Sequence, residues 1–209
     1  MKKIHSSLLL QQAKEDVREI ILKATYLKQA DPQLLEQQPA DKKWSVAQVL
    51  DHLNVYARFY INAIEKKINH HQTVPEVYFT PGWLGNYFTQ LMKPGNDGKI
   101  KSKMKAPANA VPAAGPNAMQ VLEEFLQHQH HLLNLLQIAE NANIGRLRIP
   151  TSLSAFIRLK LGDTFRFLTA HQQRHFIQIQ RAISDLDTQA LTETNNHVQK
   201  NNLAINKTA

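Results

Sequence analysis

The sequence of 209 residues contains no cysteine. This absence excludes a disulfide framework, a cysteine-ligated zinc site, an iron–sulfur cluster and a cysteine nucleophile. If the protein acts on a thiol, the substrate must therefore supply it.

Long hydrophobic runs are also lacking. The apolar stretch behind Met1, Lys2 and Lys3 extends only from Leu8 to Leu10, whereas a secretory signal needs about 7–15 apolar residues. No window approaches the roughly 18 apolar residues of a transmembrane helix. We therefore expect a cytoplasmic protein with no membrane association.

The charge is unbalanced, with a formal net charge of +8. Such a surplus of positive charge is compatible with nucleic acid, anionic lipid or an acidic small molecule as a partner, and it does not distinguish among these classes. Lysines alternate through the segment Lys99, Lys101, Lys103 and Lys105, which is the one argument for nucleic acid. Because no base-stacking aromatic residue is interleaved with them, nucleic-acid binding is the less favoured hypothesis.

Glycine and proline are scarce except in residues 75–116, which hold six of the nine prolines and five of the seven glycines. The flanking segments have helical periodicity and predict helices over about 7–28, 46–68, 117–141 and 163–186. A short helix from Ser152 is expected before the last of them, and no alternating strand pattern stands out. The sequence therefore predicts an all-α protein, a four-helix bundle, over a single domain 1–186.

Two parts of the chain lie outside the four predicted helices. Residues 69–116 form a long insertion between the second and third helices, and apolar spacing from Trp83 to Met92 predicts a short amphipathic helix within it. Residues 187–209 are rich in Asn, Gln and Thr and are expected to be a polar C-terminal tail.

Helix starts carry capping signals. Ser45 and Gln48 form the pattern of a capping box at the second helix. Ser6 or Ser7 is expected to cap the first helix.

His171 and His175 are spaced i, i+4 on the last predicted helix, so both imidazoles lie on one face and could bind one ion. Ten histidines in this chain produce about 0.5 such pairs by chance. The pair alone therefore fits two polar residues at a helix edge equally well. Both positions continue the inward apolar line of the helix, where unsatisfied polar groups are costly and a metal would satisfy them.

His52 is the candidate third ligand. It lies among core positions of the second helix, about as far from the helix start as His171 is from the start of the fourth, roughly 10–12 Å at 1.5 Å per residue. The three histidines meet at one depth if these two helices run parallel, as in an up-down-up-down bundle. The long 69–116 crossover could break that topology.

Trp44-Ser45, Asp51-His52-Leu53 and His171-x-x-x-His175 followed by Gln178 resemble the DinB-like (YfiT-like) metalloenzyme superfamily. Gly82-Trp83-Leu84-Gly85, Met104-Lys105-Ala106-Pro107 and Leu161-Gly162-Asp163-Thr164 extend the resemblance over about residues 7–186. The resemblance implies a four-helix bundle, often dimeric, with His52, His171 and His175 as a three-histidine divalent metal site. Activities within the family are varied and include transfer and isomerisation reactions that depend on low-molecular-weight thiols.

Three neutral imidazoles leave an open position for water or substrate, as in catalytic zinc sites. The ion could activate water for hydrolysis, or bind a substrate thiolate for transfer to or from a low-molecular-weight thiol. All-nitrogen ligation favours Zn²⁺ or Ni²⁺. The substrate is expected to be a small molecule, anionic or a thiol, and a homodimer is compatible with the resemblance.

Other side chains could line the pocket, although each also has a structural interpretation. These candidates are Tyr56, His128, Arg174 and Gln178, together with Trp83, Tyr87 or Phe88 from the insertion. No residue is assigned a catalytic role. The competing hypotheses are a non-catalytic helical bundle that binds a small ligand or protein partner, and a nucleic-acid binder acting through Lys99–Lys105.

Overall fold

The computed structural model describes residues 2–70, 72–95, 98–100 and 104–205. Lys101 and Lys103 of the predicted basic segment lie outside the described residues. The chain is mostly helical, as predicted. Its helices are α1 (Ser6–Leu27), α2 (Pro32–Glu36), α3 (Val46–His70), α4 (Trp83–Met92), α5 (Ala118–Ile138) and α6 (Leu161–Ile205).

In the described part of the chain, four short strands accompany these helices: β1 (Ile4–His5), β2 (Tyr78–Phe79), β3 (Arg148–Thr151) and β4 (Ser154–Lys160). β1 pairs with β2, and β3 pairs with β4, both antiparallel. Among the described helices, none combines the length and apolar character needed to cross a membrane.

The capping box predicted at the start of α3 is present. The backbone N–H of Gln48 donates to Ser45 Oγ at 3.1 Å, and the backbone N–H of Ser45 donates to Gln48 Oε1 at 3.0 Å. Both side chains are buried, so these bonds satisfy amide groups that water cannot reach.

The predicted cap of α1 is wrong. The helix begins at Ser6 and its N-cap is His5, whose side chain makes no capping hydrogen bond. The Ser6 backbone N–H instead donates to the carbonyl of Val77 at 2.9 Å. The β1–β2 pairing therefore supplies a partner that the local sequence did not reveal.

The short helix expected from Ser152 is also wrong, because the β3–β4 hairpin occupies this segment. Ile149 pairs with Leu159, and both side chains are buried, while Arg148 and Arg158 are exposed. The alternation is real, but β3 has only four residues and includes Pro150. So short a pattern does not stand out from the helical periodicity that follows it.

Helices α3 and α6 run antiparallel. The sequence argument that placed His52 at the same depth as His171 required these helices to run parallel. The rings of His52 and His175 are 4.7 Å apart, and those of Tyr60 and Phe167 are 5.8 Å apart. Later positions on α3 thus meet earlier positions on α6.

Helices α3 and α5 run in the same direction. Asn54 bonds to the carbonyl of Val121, and Glu65 contacts His131. Between two parallel helices the chain must return along α3, whose 25 residues span about 37 Å at 1.5 Å per residue. This return explains why the connection over residues 71–117 is long.

Buried apolar residues form two clusters along the helices. The first includes Tyr56–Ile64 of α3, Leu132–Leu136 of α5 and Leu161–Leu168 of α6. The second includes Val46–Leu53, Ala118–Leu126 and Phe176–Ala182 of the same three helices. Near the junction of the two clusters lie several buried polar residues, five of which are here called the polar layer: His52, Gln129, His171, Gln172 and His175.

Helix α4 packs closely on the start of α6. The backbone N–H of Gly82 donates to Asp163 Oδ2 at 2.7 Å. A Cβ atom at Gly85 would lie 2.4 Å from Cβ of Asp163. The glycines at these positions therefore permit the close approach of the two segments.

Helix α6 continues to Ile205, well beyond the end predicted near Leu186. Gln189, in the segment predicted as tail, donates a hydrogen bond to the carbonyl of Pro39 at 2.7 Å.

Candidate metal centre

Three histidines from two helices converge within the polar layer. His52 comes from α3, and His171 and His175 lie one turn apart on α6. Each side chain is buried. The Nε2 atom of His171 lies 3.4 Å from Nε2 of His52 and 3.1 Å from Nε2 of His175. The three candidate ligand atoms all lie within 4.8 Å of one another.

The tautomer of His52 is fixed by the backbone. Its Nδ1 lies 2.6 Å from the carbonyl oxygen of Ala110. A carbonyl can only accept a hydrogen bond, so Nδ1 carries the proton and the lone pair of the neutral ring is on Nε2. The nitrogen that faces the other two histidines is therefore the one able to bind a cation.

Helix α3 anchors the segment that carries this carbonyl. Asp51 Oδ2 accepts the backbone N–H of Ala113 at 2.9 Å. Gln48 Nε2 donates to the carbonyls of Ala113 and Ala114 at 3.2 and 3.0 Å. Asp51, next to His52 in sequence, thus contributes by holding residues 110–114 rather than by contacting the imidazole.

His175 is oriented in a similar way by its own helix. Its Nδ1 donates to Gln178 Oε1 at 2.9 Å. This bond leaves the lone pair of the neutral ring on Nε2, which faces His171. Outer acceptors of this kind are usual behind metal-binding histidines.

The site keeps all three rings uncharged. Burial is the main cause that lowers the pKa of each histidine, and it lowers that of His175 to about 3. The pKa of His171 is lowered further because a proton on it would be repelled by a proton on His175 or His52 and by the charge of Arg174. At neutral pH the site therefore presents unprotonated nitrogens in a space where protonation is opposed.

This arrangement fits a divalent cation. Tetrahedral coordination with metal–nitrogen bonds near 2.0–2.1 Å places ligand nitrogens about 3.3 Å apart. The Nε2 separations of 3.1 and 3.4 Å are close to that value. With the proton of His171 on Nδ1, three Nε2 lone pairs would face one buried space, and a cation would satisfy all three. The group can thus hold a metal ion, whose identity the geometry does not determine.

Aromatic side chains surround the histidines. The ring of Trp44 lies 5.0 Å from His52, and that of Tyr56 lies 4.5 Å from His171. Phe167 stacks on His171 with an interplanar angle of 10°. These rings pack against the imidazoles and restrict their rotation.

Among the pocket candidates from the sequence, Tyr56, Arg174 and Gln178 lie at the site. Burial raises the pKa of Tyr56 to about 12, so its phenol stays protonated. His128 lies elsewhere: its Nδ1 is 3.2 Å from Asn54 Oδ1, and its Nε2 is 3.9 Å from Glu124. No described contact joins His128 to the three histidines.

The aromatic residues expected from the insertion do not line the described cavity next to His171. Trp83 and Tyr87 are exposed. Phe88 reaches Phe167 with ring centroids 6.4 Å apart, so it supports the site only through another residue. The described part of the insertion instead reaches the candidate ligands through the carbonyl of Ala110, which lies 2.6 Å from His52 Nδ1.

Three residues at the site were not identified from the sequence: Ala110, Gln129 and Gln172. No side-chain pattern identifies a carbonyl acceptor such as that of Ala110. A signal did exist for Gln129, which fills the gap between Phe125 and Leu132 in the inward stripe of α5. From the sequence alone, His128 fits the same inward position as well as Gln129 does.

The fold and the site together define a mostly helical protein with a buried three-histidine group suited to a metal ion. A family model of the DinB superfamily matches residues 15–179, a span that includes all three histidines. The chain therefore belongs to the DinB superfamily. No curated protein and no solved structure matches it.

Proposed function

We propose that the protein is a metal-dependent enzyme in which His52, His171 and His175 hold one divalent ion, Zn²⁺ or Ni²⁺. The convergence of three buried, neutral Nε2 atoms is the observation that carries this proposal. Ligation by three histidines, with a position left open, is typical of catalytic sites.

When bound, the ion supplies a position at which water is made more acidic or a substrate thiolate is stabilised. Hydrolysis and transfer involving a low-molecular-weight thiol are therefore the two reaction classes that we propose. The chain lacks cysteine, so in the second class the thiol belongs to the substrate. The charge of Arg174, which lowers the pKa of both His171 and His175, also favours a small anionic substrate.

The proposed architecture is a DinB-type four-helix bundle. Its members would be α1, α3, α5 and α6, within a single domain over 1–186 that includes the insertion 69–116. The hydrogen bond from Gln189 to Pro39 supports a tail that docks on this domain. A homodimer stays a proposal suggested by family resemblance.

Elemental analysis of untagged protein, purified without a nickel column, tests the metal site. We expect about one metal ion per chain, and its loss in a variant with His52, His171 and His175 all replaced by Ala. His130→Ala is the matched control, because His130 is exposed on α5. Wild-type protein that stays metal-free after incubation with Zn²⁺, Ni²⁺, Mn²⁺ and Fe²⁺ would contradict the proposal.

A screen of the metal-loaded protein separates the two reaction classes. Hydrolysable esters and amides form one panel, and electrophiles offered with low-molecular-weight thiols form the other. Turnover must disappear in His171→Ala and persist in His130→Ala. Activity that the His171 variant retains would show that the reaction takes place elsewhere.

A non-catalytic helical protein is the second candidate function. The described cavity next to His171 offers about 10 Å³ to the centre of a water molecule, which is room for about one water. Such a space suits a small ligand better than a substrate of many atoms. Stoichiometric metal without turnover in either panel would favour this candidate.

A further inference from the structure

Gln129 is a buried amide without a hydrogen-bond partner among the described residues. Its side chain is 0% exposed, and it lies on α5 between the two apolar clusters. Neither Nε2 nor Oε1 has a hydrogen-bond partner within the described protein. An amide buried in this way loses its hydration without compensation, so its retention at this position calls for a partner.

A small cavity lies beside this amide. Gln129, Gln172, Tyr56 and His171 supply its polar lining, and apolar residues such as Leu132 and Leu168 complete it. Gln172 Oε1 is also buried without a partner in the described protein. The space open to the centre of a water molecule is about 10 Å³, enough for about one water, and a polar lining is what a buried water requires.

His171 differs from the other two histidines in its outer hydrogen bond. The Nδ1 protons of His52 and His175 go to Ala110 O and Gln178 Oε1. The Nε2 atom of His171 faces those two rings, and no described residue accepts a hydrogen bond from its Nδ1. Metal-binding histidines nearly always donate this second N–H to an acceptor.

We propose that Gln129 is a positioning residue of the metal centre and that it acts through one internal water. The water would accept the Nδ1–H of His171 and an N–H of Gln129, and donate to Gln129 Oε1 and Gln172 Oε1. All four hydrogen-bonding positions of the water are then used. This inference rests on the metal site of the proposed function.

The consequence is a complete set of outer acceptors. His52 uses a backbone carbonyl from the insertion, His175 uses an amide one turn further along α6, and His171 uses the water held by α5 and α6. Loss of such an acceptor typically costs about 10- to 100-fold in metal affinity.

Three variants test the role of Gln129. Gln129→Leu removes both hydrogen-bonding atoms at similar volume, whereas Gln129→Glu keeps an oxygen acceptor and adds a buried charge. Gln127→Leu is the matched control, because it makes the same substitution at an exposed position of α5. Zn²⁺ affinity is measured by competition with a chromophoric chelator, and the stability of the metal-free form by urea denaturation.

The two readouts are expected to change in opposite directions. Gln129→Leu should stabilise the metal-free protein, since it removes an unsatisfied amide, yet weaken Zn²⁺ binding about 10- to 100-fold. Gln129→Glu should destabilise the metal-free protein and keep Zn²⁺ affinity within a few-fold of wild type. The absorption bands of bound Co²⁺ should shift in Gln129→Leu and not in Gln127→Leu.

Unchanged Zn²⁺ affinity in Gln129→Leu would overturn this inference and leave the metal site intact. Equal loss of affinity in the Leu and Glu variants would also overturn it, because packing rather than the acceptor would then matter. Wild-type protein that binds no metal would overturn the proposed function together with this inference.

Discussion

His52 and His175 each use Nδ1 to donate a hydrogen bond and turn Nε2 toward the centre. These acceptors determine which nitrogen of each ring can bind a cation. Without them the ring could flip and present either nitrogen to the centre. The Gln178 acceptor was accessible from the sequence, because it lies three residues after His175 on a helix. The Ala110 acceptor was not accessible, since it depends on where a long connection returns.

Removal of the Gln178 acceptor tests this view directly. Gln178→Leu should weaken Zn²⁺ binding by about 10- to 100-fold, because the ring of His175 loses its orientation. Titration against a chromophoric chelator measures the affinity. Gln180→Leu, at an exposed position of the same helix, should bind Zn²⁺ as the wild type does. Equal affinities in the two variants would contradict the role given to Gln178.

Acidification should destabilise the metal-free protein through the same residues. Burial lowers the pKa of His175 from 6.5 to about 3 in the folded chain. Between these values the unfolded chain holds a proton that the folded chain does not, so stability falls as pH falls. His175 alone contributes about 1.4 kcal/mol per pH unit within this window.

Urea denaturation with EDTA at several pH values between 4.5 and 6 measures this dependence. His175→Gln should lose stability less steeply on acidification than the wild type, and His130→Gln should keep the wild-type slope. Identical slopes for all three proteins would contradict the assignment of a neutral, buried His175.

The long helices were predictable chiefly from their apolar stripes, and α3 and α5 also have a local start signal. Asn117, for example, accepts the backbone N–H of Gln120 at the start of α5, as a typical N-cap does. The β3–β4 hairpin was not predictable on this basis, because its alternation is short and interrupted by Pro150. Its position is supported by tertiary contacts, such as the Ser152 backbone N–H donating to the hydroxyl of Tyr60 at 3.3 Å.

The junction between α4 and α6 depends on the absence of a side chain at Gly85. A Cβ there would lie 2.4 Å from Cβ of Asp163, so Gly85→Ala should reduce the free energy of unfolding by about 1–3 kcal/mol through overpacking. Urea denaturation at neutral pH measures the change.

Gly115→Ala is the matched control for this substitution. A Cβ at Gly115 would meet no heavy atom of the described residues within 4 Å. The stability of the Gly115→Ala variant should therefore stay close to that of the wild type. A Gly85 variant as stable as the Gly115 variant would show that the junction can move apart at little cost.

The candidate metal centre joins two antiparallel helices that are distant in sequence, because His52 and His171 are 119 positions apart. The three ligands come together only in the folded chain, so a bound ion should stabilise the folded state. At a free Zn²⁺ concentration 100 times its Kd, the expected gain is about 2.7 kcal/mol.

Thermal unfolding with Zn²⁺ and with EDTA measures this gain. The midpoint should rise with Zn²⁺ for the wild type and for His130→Ala, and should not rise for the variant with His52, His171 and His175 replaced by Ala. An equal rise in the triple variant would place the stabilising ion elsewhere.

The carbonyl of Ala110 lies on a segment that the side chains of Gln48 and Asp51 hold against α3. In the proposed metal site, ion occupancy and the docking of residues 110–114 on α3 would be thermodynamically coupled, and each would favour the other by the same factor. A compound that displaces this segment from α3 would lower the affinity of the site for the ion. A compound that holds residues 110–114 against α3 would make the site bind the ion more tightly. The affinity for the ion would therefore report on binding at the surface of residues 110–114.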